Sequence, residues 1–233
     1  VLSSDIEEII VKGEYREKSL GEEDSSIAVI QSEQIKSQAI KHFQQLSHLV
    51  PNLNYAASDS RARYFQIRGI GERSGYQGTP NSSVGFLIDD IDYSGQGGIA
   101  TLFDVDQVEV FRGPQGSRSG ANALAGLIYI KTKDPTEKFE GTSELTLGDY
   151  GTQNIGIAFG GPMQNKKLKY RLVLRTDYAD GFRKNIYLNK SDTSKKDELT
   201  LRYKLNWELN ETTNLDFLAV SYTHLTLPTK LAV

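Results

Sequence analysis

The stretch that decides the fold reads Val108-Glu109-Val110-Phe111-Arg112-Gly113-Pro114-Gln115-Gly116-Ser117-Arg118-Ser119-Gly120-Ala121-Asn122-Ala123-Leu124-Ala125-Gly126-Leu127-Ile128-Tyr129-Ile130. It begins and ends in runs of β-branched and aromatic residues, which favour strands. Between the runs lie glycine, serine and asparagine, the residues typical of turns and loops. At their full length the two runs cover residues 105–112 and 126–133, and each predicts a β-strand.

Residues 26–135 around this stretch are predicted to form one compact α+β domain. Three further β-rich runs precede the quoted stretch, at residues 27–30, 64–70 and 84–91. The domain ends at Asp134-Pro135, because proline has no backbone N–H and restricts the residue before it.

An amphipathic stretch at residues 32–49 predicts the helix of this domain. Its apolar side chains recur at helical spacing, at Ile35, Ala39, Phe43, Leu46 and Leu49. Such spacing places them on one face, so we expect a helix that buries this face and stops before Pro51.

After Pro135 the sequence changes to a strict two-residue alternation, which is typical of strands with one apolar face. In the clearest case polar residues separate Leu199, Leu201, Tyr203, Leu205, Trp207 and Leu209. Residues 170–178 repeat the pattern, and both stretches are close to the ~9–11 residues of a tilted membrane-spanning strand. Alternation alone fits a soluble sandwich equally well, because the sheets of a sandwich also have one wet face.

The composition excludes several classes of function. The chain of 233 residues has 27 Lys and Arg against 30 Asp and Glu, a net charge of −3, so no basic field favours nucleic acid. It has no cysteine, which excludes disulfides and thiolate metal sites. No run approaches the roughly 18 consecutive apolar residues of a membrane-spanning helix.

No catalytic residue, metal site or cofactor is predicted. The three histidines, His42, His48 and His224, do not have the spacing of metal ligands. The aspartates at 89, 90, 92, 104 and 106 lack the loop glycine and terminal glutamate of an EF-hand. Gly69, Gly71 and Gly75 follow a strand, but the third glycine is one place late for a dinucleotide loop.

Residues 108–130 closely resemble the plug signature of the TonB-dependent receptors. Upstream, Phe65-Gln66-Ile67-Arg68-Gly69-Ile70-Gly71 is similar to that family's strand ending in Ile-Arg-Gly, and Val84-Gly85-Phe86-Leu87-Ile88-Asp89-Asp90-Ile91 to the strand between them. The resemblance covers roughly residues 5–220. It implies an α+β plug domain at 26–135, followed at 136–220 by antiparallel strands of an incomplete transmembrane β-barrel.

The resemblance also implies a function. It suggests a receptor in the outer membrane of a Gram-negative bacterium that actively takes up a scarce solute, foremost a ferric siderophore or another iron complex. The implied partners are the energy-transducing TonB protein, an iron chelate or similar small molecule, and outer-membrane lipid. The alternatives are uptake of a vitamin or oligosaccharide, a binding-only surface receptor, and a soluble periplasmic or enzymatic sandwich.

Residues 1–25 are predicted to be a flexible N-terminal segment that carries a TonB box, the peptide gripped by the energising partner. Within the segment Asp5-Ile6-Glu7-Glu8-Ile9-Ile10-Val11, which resembles this box, we assign the role to Glu7, Glu8, Ile9, Ile10 and Val11. An extended apolar triplet flanked by charge can add as a strand to the exposed sheet edge of a partner.

Two arginines each end a β-rich run just before a glycine. Arg68 and Arg112 are therefore predicted to lock the plug to carboxylates on the surrounding barrel wall, with Glu109 as a further member of this charge network. Solvated surface arginines are the alternative interpretation. The signature glycines, which permit tight turns and close packing, are Gly69, Gly113, Gly116, Gly120 and Gly126.

Two polar loops, at residues 74–83 and 94–100, are predicted to face the ligand. Their candidate contact residues are Tyr76, Gln77, Tyr93 and Gln96. Ordinary loop polarity explains the same residues equally well.

The predicted barrel is far from complete in this sequence. Plugged barrels have about 22 strands, and four or five strands fit within residues 137–220. An open sheet in lipid would leave its edge N–H and C=O groups without partners, so we expect a fragment of a longer protein. Residues 221–233 are expected to be a non-native tail.

Overall fold

A computed structural model describes residues 9–13, 18–22, 24–57, 61–74, 81–116, 122–163, 167–187, 189–193 and 195–224. Its contacts divide the chain into a first unit, residues 1–132, and a second unit, residues 133–233. The division lies within three residues of the boundary expected at Pro135. Among the described residues, no helix is both long and apolar enough to span a membrane.

The first unit is built on a five-stranded mixed sheet. Its strands, in chain order, are β1 (Ile10–Val11), β2 (Lys18–Ser19), β3 (Ile27–Gln31), β4 (Leu53–Ala57), β5 (Ala62–Ile67), β6 (Val84–Ile88), β7 (Ile91–Asp92), β8 (Val105–Phe111) and β9 (Gly126–Thr132). The large sheet has the order β3-β8-β9-β6-β7, in which β6 and β9 are parallel and the other pairs antiparallel. The β-rich runs of the sequence are thus all strands, and the predicted α+β architecture is confirmed.

The predicted helix at 32–49 is wrong in its middle. The structure has α1 (Ser32–Ser37) and α2 (Phe43–Leu46), followed by a 3₁₀ turn at Ser47–Leu49. Ala39 interrupts the helix with φ of 51°, and it is exposed while Ile40 is buried. His42 then caps α2, because its Nδ1 accepts from Gln44 N at 3.2 Å while Gln45 Oε1 accepts from His42 N at 3.1 Å.

The two faces of the large sheet are covered by different elements. On one face Phe86 packs with Phe43 of α2 and Phe65 of β5, with ring centroids 4.8 to 5.6 Å apart. On the other face lie Leu87, Phe111, Leu127 and Tyr129, all buried. This second face carries the N-terminal residues discussed below.

The second unit is an antiparallel sheet of long strands. They are β10 (Glu140–Gly148), β11 (Thr152–Pro162), β12 (Leu168–Ala179), β15 (Lys196–Asn210) and β16 (Thr213–His224), in the order β10-β11-β12-β15-β16. A separate hairpin of β13 (Arg183–Asn185) and β14 (Lys190–Thr193) lies between β12 and β15 in the chain. Strand β16 extends four residues past Val220, into the stretch expected to be a tail.

The alternating residues of the second unit segregate onto opposite faces. Ile157, Leu174 and Leu201 are directly paired across three strands, and the two leucines are each 42% exposed. Arg175 and Arg202 lie on the other face and are only 1% and 2% exposed. A soluble sandwich would bury the apolar row and expose the charges, so this arrangement is the opposite of the sandwich alternative.

Candidate functional site

The N-terminal hairpin, formed by β1, β2 and the 3₁₀ turn Leu20–Glu22, lies on the large sheet of the first unit. Ile10 pairs with Ser19 and Val11 with Lys18, and Leu20 N donates to Ile9 O at 2.8 Å. The Val11 side chain is fully buried in the apolar cluster that contains Phe111, Leu127 and Tyr129. Three of the five predicted TonB-box residues, Ile9, Ile10 and Val11, are therefore part of a packed element of the first unit.

A buried carboxylate holds the chain directly after Val11. Glu109, in the middle of β8, is fully buried. Its Oε1 accepts a hydrogen bond from Lys12 N at 2.6 Å, and its Oε2 accepts one from Gly13 N at 2.7 Å. Because an ionised carboxylate accepts hydrogen bonds at both oxygens, these two successive backbone N–H groups match it.

Two neighbours of Glu109 complete the contact, and we call the side chains of Asp106, Gln107 and Glu109 the clasp. Gln107 Nε2 donates to Glu109 Oε1 at 2.5 Å and to Ile10 O at 2.9 Å. Lys12 Nζ forms an ion pair with Asp106 Oδ2 at 2.7 Å. Both side chains of that pair are about a third exposed, so it contributes little, whereas the Glu109 contacts lie inside the domain.

Close packing at Gly13 is part of the same contact. A Cβ at this position would lie 2.5 Å from Glu109 Oε2 and 2.7 Å from a ring carbon of Phe111. Neither distance is compatible with a methyl group, so only glycine brings its N–H this close to the carboxylate. Residues 12 and 13 were not singled out from the sequence.

These contacts differ from the sequence expectations in two respects. Residues 1–25 were expected to be flexible, but Ile9, Ile10 and Val11 are held on the sheet, while Glu7 and Glu8 lie outside the described residues. Glu109 is predicted to lock the plug to the barrel, and this role stays a prediction; the contacts that the structure shows for it are with the N-terminal hairpin. A charged residue in the centre of an apolar strand was the available signal, since a buried carboxylate requires nearby donors.

The two predicted locking arginines lie at the ends of β5 and β8. Arg68 is exposed, has φ of 54°, and donates its backbone N–H to Asn52 O at 2.9 Å. Arg112 N donates to Ser26 O at 2.8 Å, and its buried Nε has no hydrogen bond with any residue in the described ranges. The locking role of both side chains remains a prediction.

The predicted ligand loops are only partly described. Tyr76 and Gln77 lie outside the described residues, while Tyr93 and Gln96 flank a turn closed by the bond from Gln96 N to Tyr93 O at 2.9 Å. Arg63 Nε donates to Gly95 O at 3.0 Å, which attaches this turn to β5. The ligand contacts themselves stay predictions.

One side chain connects the first of these loops to β7, the strand just before the second loop. Asn122 Nδ2 donates to Asp92 Oδ2 at 2.9 Å, and Asn122 Oδ1 accepts from Ser82 N at 3.1 Å. Asn122 was not singled out from the sequence, because its partners are 30 and 40 residues away.

Replacing Asn122 by alanine should loosen this connection without unfolding the sheet. We expect the amide of Ser82 to exchange its hydrogen about fivefold faster, because a hydrogen bond contributes ~1 kcal/mol. Hydrogen exchange measured by mass spectrometry would test this, with Asn54→Ala, an exposed asparagine of β4, as the control. Equal exchange in the two variants would contradict the assignment.

The signature glycines differ in whether the structure leaves room for a side chain at their positions. A Cβ on Gly126 would lie 2.3 Å from the backbone oxygen of Phe111 and 2.6 Å from Ile67 Cδ1. Gly69 has φ of 81°, which L-residues rarely adopt, whereas a Cβ on Gly113 or Gly116 would meet nothing within 4 Å. Gly120 lies outside the described residues.

Within the described ranges, no group of three or more histidine, aspartate and glutamate side chains is placed to hold a metal ion.

Comparison with known proteins finds a matching family model and similar receptors and transporters. Residues 19–127 match the family model described as the TonB-dependent receptor plug domain. The chain is 24% identical over 174 residues to the pesticin receptor of Yersinia pestis, a match that covers 74% of this chain and 25% of the relative. It is 25% identical to the vitamin B12 transporter of Vibrio vulnificus over 52% of this chain and 19% of that protein.

A solved structure shows the same fold. The ferric yersiniabactin uptake receptor of Yersinia pestis aligns with a TM-score of 0.73 at 23% identity, over 84% of this chain and 31% of that one. The chain spans about a quarter of the length of the pesticin receptor.

Proposed function

We propose that this chain is part of a TonB-dependent receptor in the outer membrane of a Gram-negative bacterium, and that the function of this receptor is energised uptake of a scarce solute. The observation that carries the proposal is the match of residues 19–127 to the plug family. In the proposed function the plug binds a solute and changes its conformation, and no covalent step takes place, so we assign the plug no enzymatic activity.

A ferric siderophore or another iron complex is the proposed solute. The support comes from the relatives, among which are a pesticin receptor and a ferric yersiniabactin uptake receptor. Uptake of a vitamin is the second candidate, because a vitamin B12 transporter is also similar to this chain. An oligosaccharide remains a further alternative. Uptake assays with a panel of labelled ferric siderophores and with vitamin B12 would separate them.

The second unit supports a place in the membrane. Strands β11 and β12 have 11 and 12 residues, close to the ~9–11 residues of a tilted membrane-spanning strand. Their apolar side chains, such as Ile157 and Leu174, are exposed while charged side chains of the opposite face are buried. We propose that this exposed apolar face contacts outer-membrane lipid in the complete receptor.

The coupling segment, residues 5–11, is the proposed handle for the TonB protein. Its apolar residues Ile9, Ile10 and Val11 have the extended character that strand addition to a partner's sheet requires. A pull on this segment would act on the clasp and then on β3, which follows it in the chain. The plug would rearrange under this load and let the solute pass.

The remaining assignments complete the proposal. Arg68 and Arg112 are proposed to lock the plug in the complete receptor, and the buried Nε of Arg112 supports this role because a buried N–H group requires a hydrogen-bond acceptor. Tyr76, Gln77, Tyr93 and Gln96 are proposed to contact the solute.

Deleting residues 5–12 from the full-length receptor tests the coupling role. We expect energised uptake of the labelled solute to fall to background, while binding of the solute at the cell surface is unchanged. A variant in which a glycine-serine linker of equal length replaces residues 5–12 is the control for chain length, and it should fail to the same extent.

Uptake that survives the deletion would reject the coupling role and favour a binding-only receptor. Loss of surface binding together with uptake would show instead that the deletion had damaged the plug, so both quantities must be measured.

A further inference from the structure

We propose that Glu109 is a latch that stores the coupling segment on the plug and controls how much of it is available to the TonB protein. The inference rests on the proposed coupling function and adds to it the residue that regulates access. It concerns only contacts inside the first unit.

The latch acts on the residues next to the box. Glu109 accepts from Lys12 N and Gly13 N, which follow Val11 directly. Both bonds are short and charge-assisted, and the carboxylate is fully buried. A buried carboxylate that loses its donors must be rehydrated, so release of these two N–H groups is opposed by the desolvated charge itself.

The stored segment is not ready for strand addition. Ile9 O accepts from Leu20 N at 2.8 Å, Ile10 O accepts from Gln107 Nε2 at 2.9 Å, and Val11 is fully buried. Strand addition by a partner requires free main-chain groups along one edge of the segment. Binding therefore competes with the hairpin and the clasp. The apparent affinity equals the intrinsic affinity multiplied by the fraction of molecules in which the segment is released.

The position of the latch also fits a mechanical role. Before β3, the first strand of the large sheet in the chain, the described contacts with the sheet include those of Ile10, Val11, Lys12, Gly13 and Leu20. A pull applied at residues 7–11 loads the Glu109 contacts before it reaches β3. The latch is thus part of the first resistance that the partner meets, together with the bonds of Ile9 and Ile10.

Two substitutions can weaken the contact, one at the acceptor Glu109 and one at the donor Gly13. Glu109→Gln keeps the size of the side chain but offers a single acceptor oxygen and removes the charge, so it cannot hold both N–H groups. Gly13→Ala leaves Glu109 intact and places a methyl group 2.5 Å from its Oε2, which forces the segment away. Gly21→Ala is the matched control in the same hairpin, because its Cβ would lie 3.8 Å from Ser19 Oγ, an ordinary contact.

The experiment uses the full-length receptor purified in detergent. Hydrogen exchange is measured for peptides covering residues 9–13 and 126–132, and affinity is measured for the isolated periplasmic domain of TonB. We expect Glu109→Gln and Gly13→Ala to raise exchange at residues 9–13 and to raise TonB affinity, each by about tenfold. Exchange at 126–132 should be unchanged, which shows that the plug sheet is still folded, and Gly21→Ala should resemble the parent.

The outcomes separate the latch from the coupling function. Unchanged exchange at residues 9–13 in both variants would overturn the latch, as would raised exchange with the same TonB affinity as the parent. If no variant bound TonB although exchange had risen, the proposed coupling function would fall and the latch with it. Raised exchange and raised affinity in Gly13→Ala alone, with a disrupted sheet in Glu109→Gln, would still support the latch.

Discussion

Replacing Gly126 by alanine is expected to destabilise the first unit by about 3 kcal/mol, the upper range for an overpacked core. The new methyl group would lie 2.3 Å from the backbone oxygen of Phe111, and a backbone atom in a central strand cannot move aside without breaking the pairing of β8 with β9. Hydrogen exchange of residues 105–111 and 126–132 in the full-length receptor would report the loss as faster exchange in both strands.

Gly113→Ala and Gly116→Ala are the matched controls for this experiment. They change glycines of the same signature, but a Cβ at either position meets nothing within 4 Å, so we expect effects within about 0.5 kcal/mol. Equal destabilisation by all three substitutions would mean that chain flexibility, and not packing at Gly126, is what these glycines provide.

The strands of the plug could be predicted because their signals are local. The runs at 84–91, 105–112 and 126–133 consist of apolar residues bounded by glycine and polar loops, and the observed strands agree within a few residues. The helix could not be predicted to the same accuracy. Its apolar spacing continues through Ala39, but the chain there adopts φ of 51° so that Ile40 becomes buried, and this choice depends on tertiary packing.

The N-terminal contacts could be predicted only in part. The composition of residues 5–11 indicates an extended segment that can pair with a partner, but it does not specify which surface the segment occupies. That surface is set by Glu109 and Phe111, about 97 residues away along the chain. The sequence predicts that Glu109 belongs to a charge network. The donors of its hydrogen bonds from Lys12 and Gly13 are backbone N–H groups, and no pattern of residues indicates which backbone groups will lie near it.

Replacing Asp177 by alanine is expected to destabilise the second unit by about 3–5 kcal/mol. Asp177 accepts two hydrogen bonds from Arg175, at 2.6 Å from Nε and 2.7 Å from Nη2, and the Arg175 side chain is only 1% exposed. Loss of the carboxylate would leave a buried guanidinium without its bidentate partner. Thermal unfolding of the full-length receptor in detergent, followed by circular dichroism, would measure the loss.

Two further variants determine whether the ion pair or only the volume of the side chain matters. Glu144 Oε1 lies 3.2 Å from Arg175 Nη1, a longer contact, and the Glu144 side chain is 27% exposed. We therefore expect Glu144→Ala to lower the free energy of unfolding by about 1 kcal/mol. The double variant Arg175→Met with Asp177→Ala removes both charges and should recover most of the stability lost in Asp177→Ala, because the buried guanidinium that lost its bidentate partner is then absent. If the double variant were as unstable as Asp177→Ala, the loss of stability would come from the packing of the two side chains on this face, and the buried charge would not explain it.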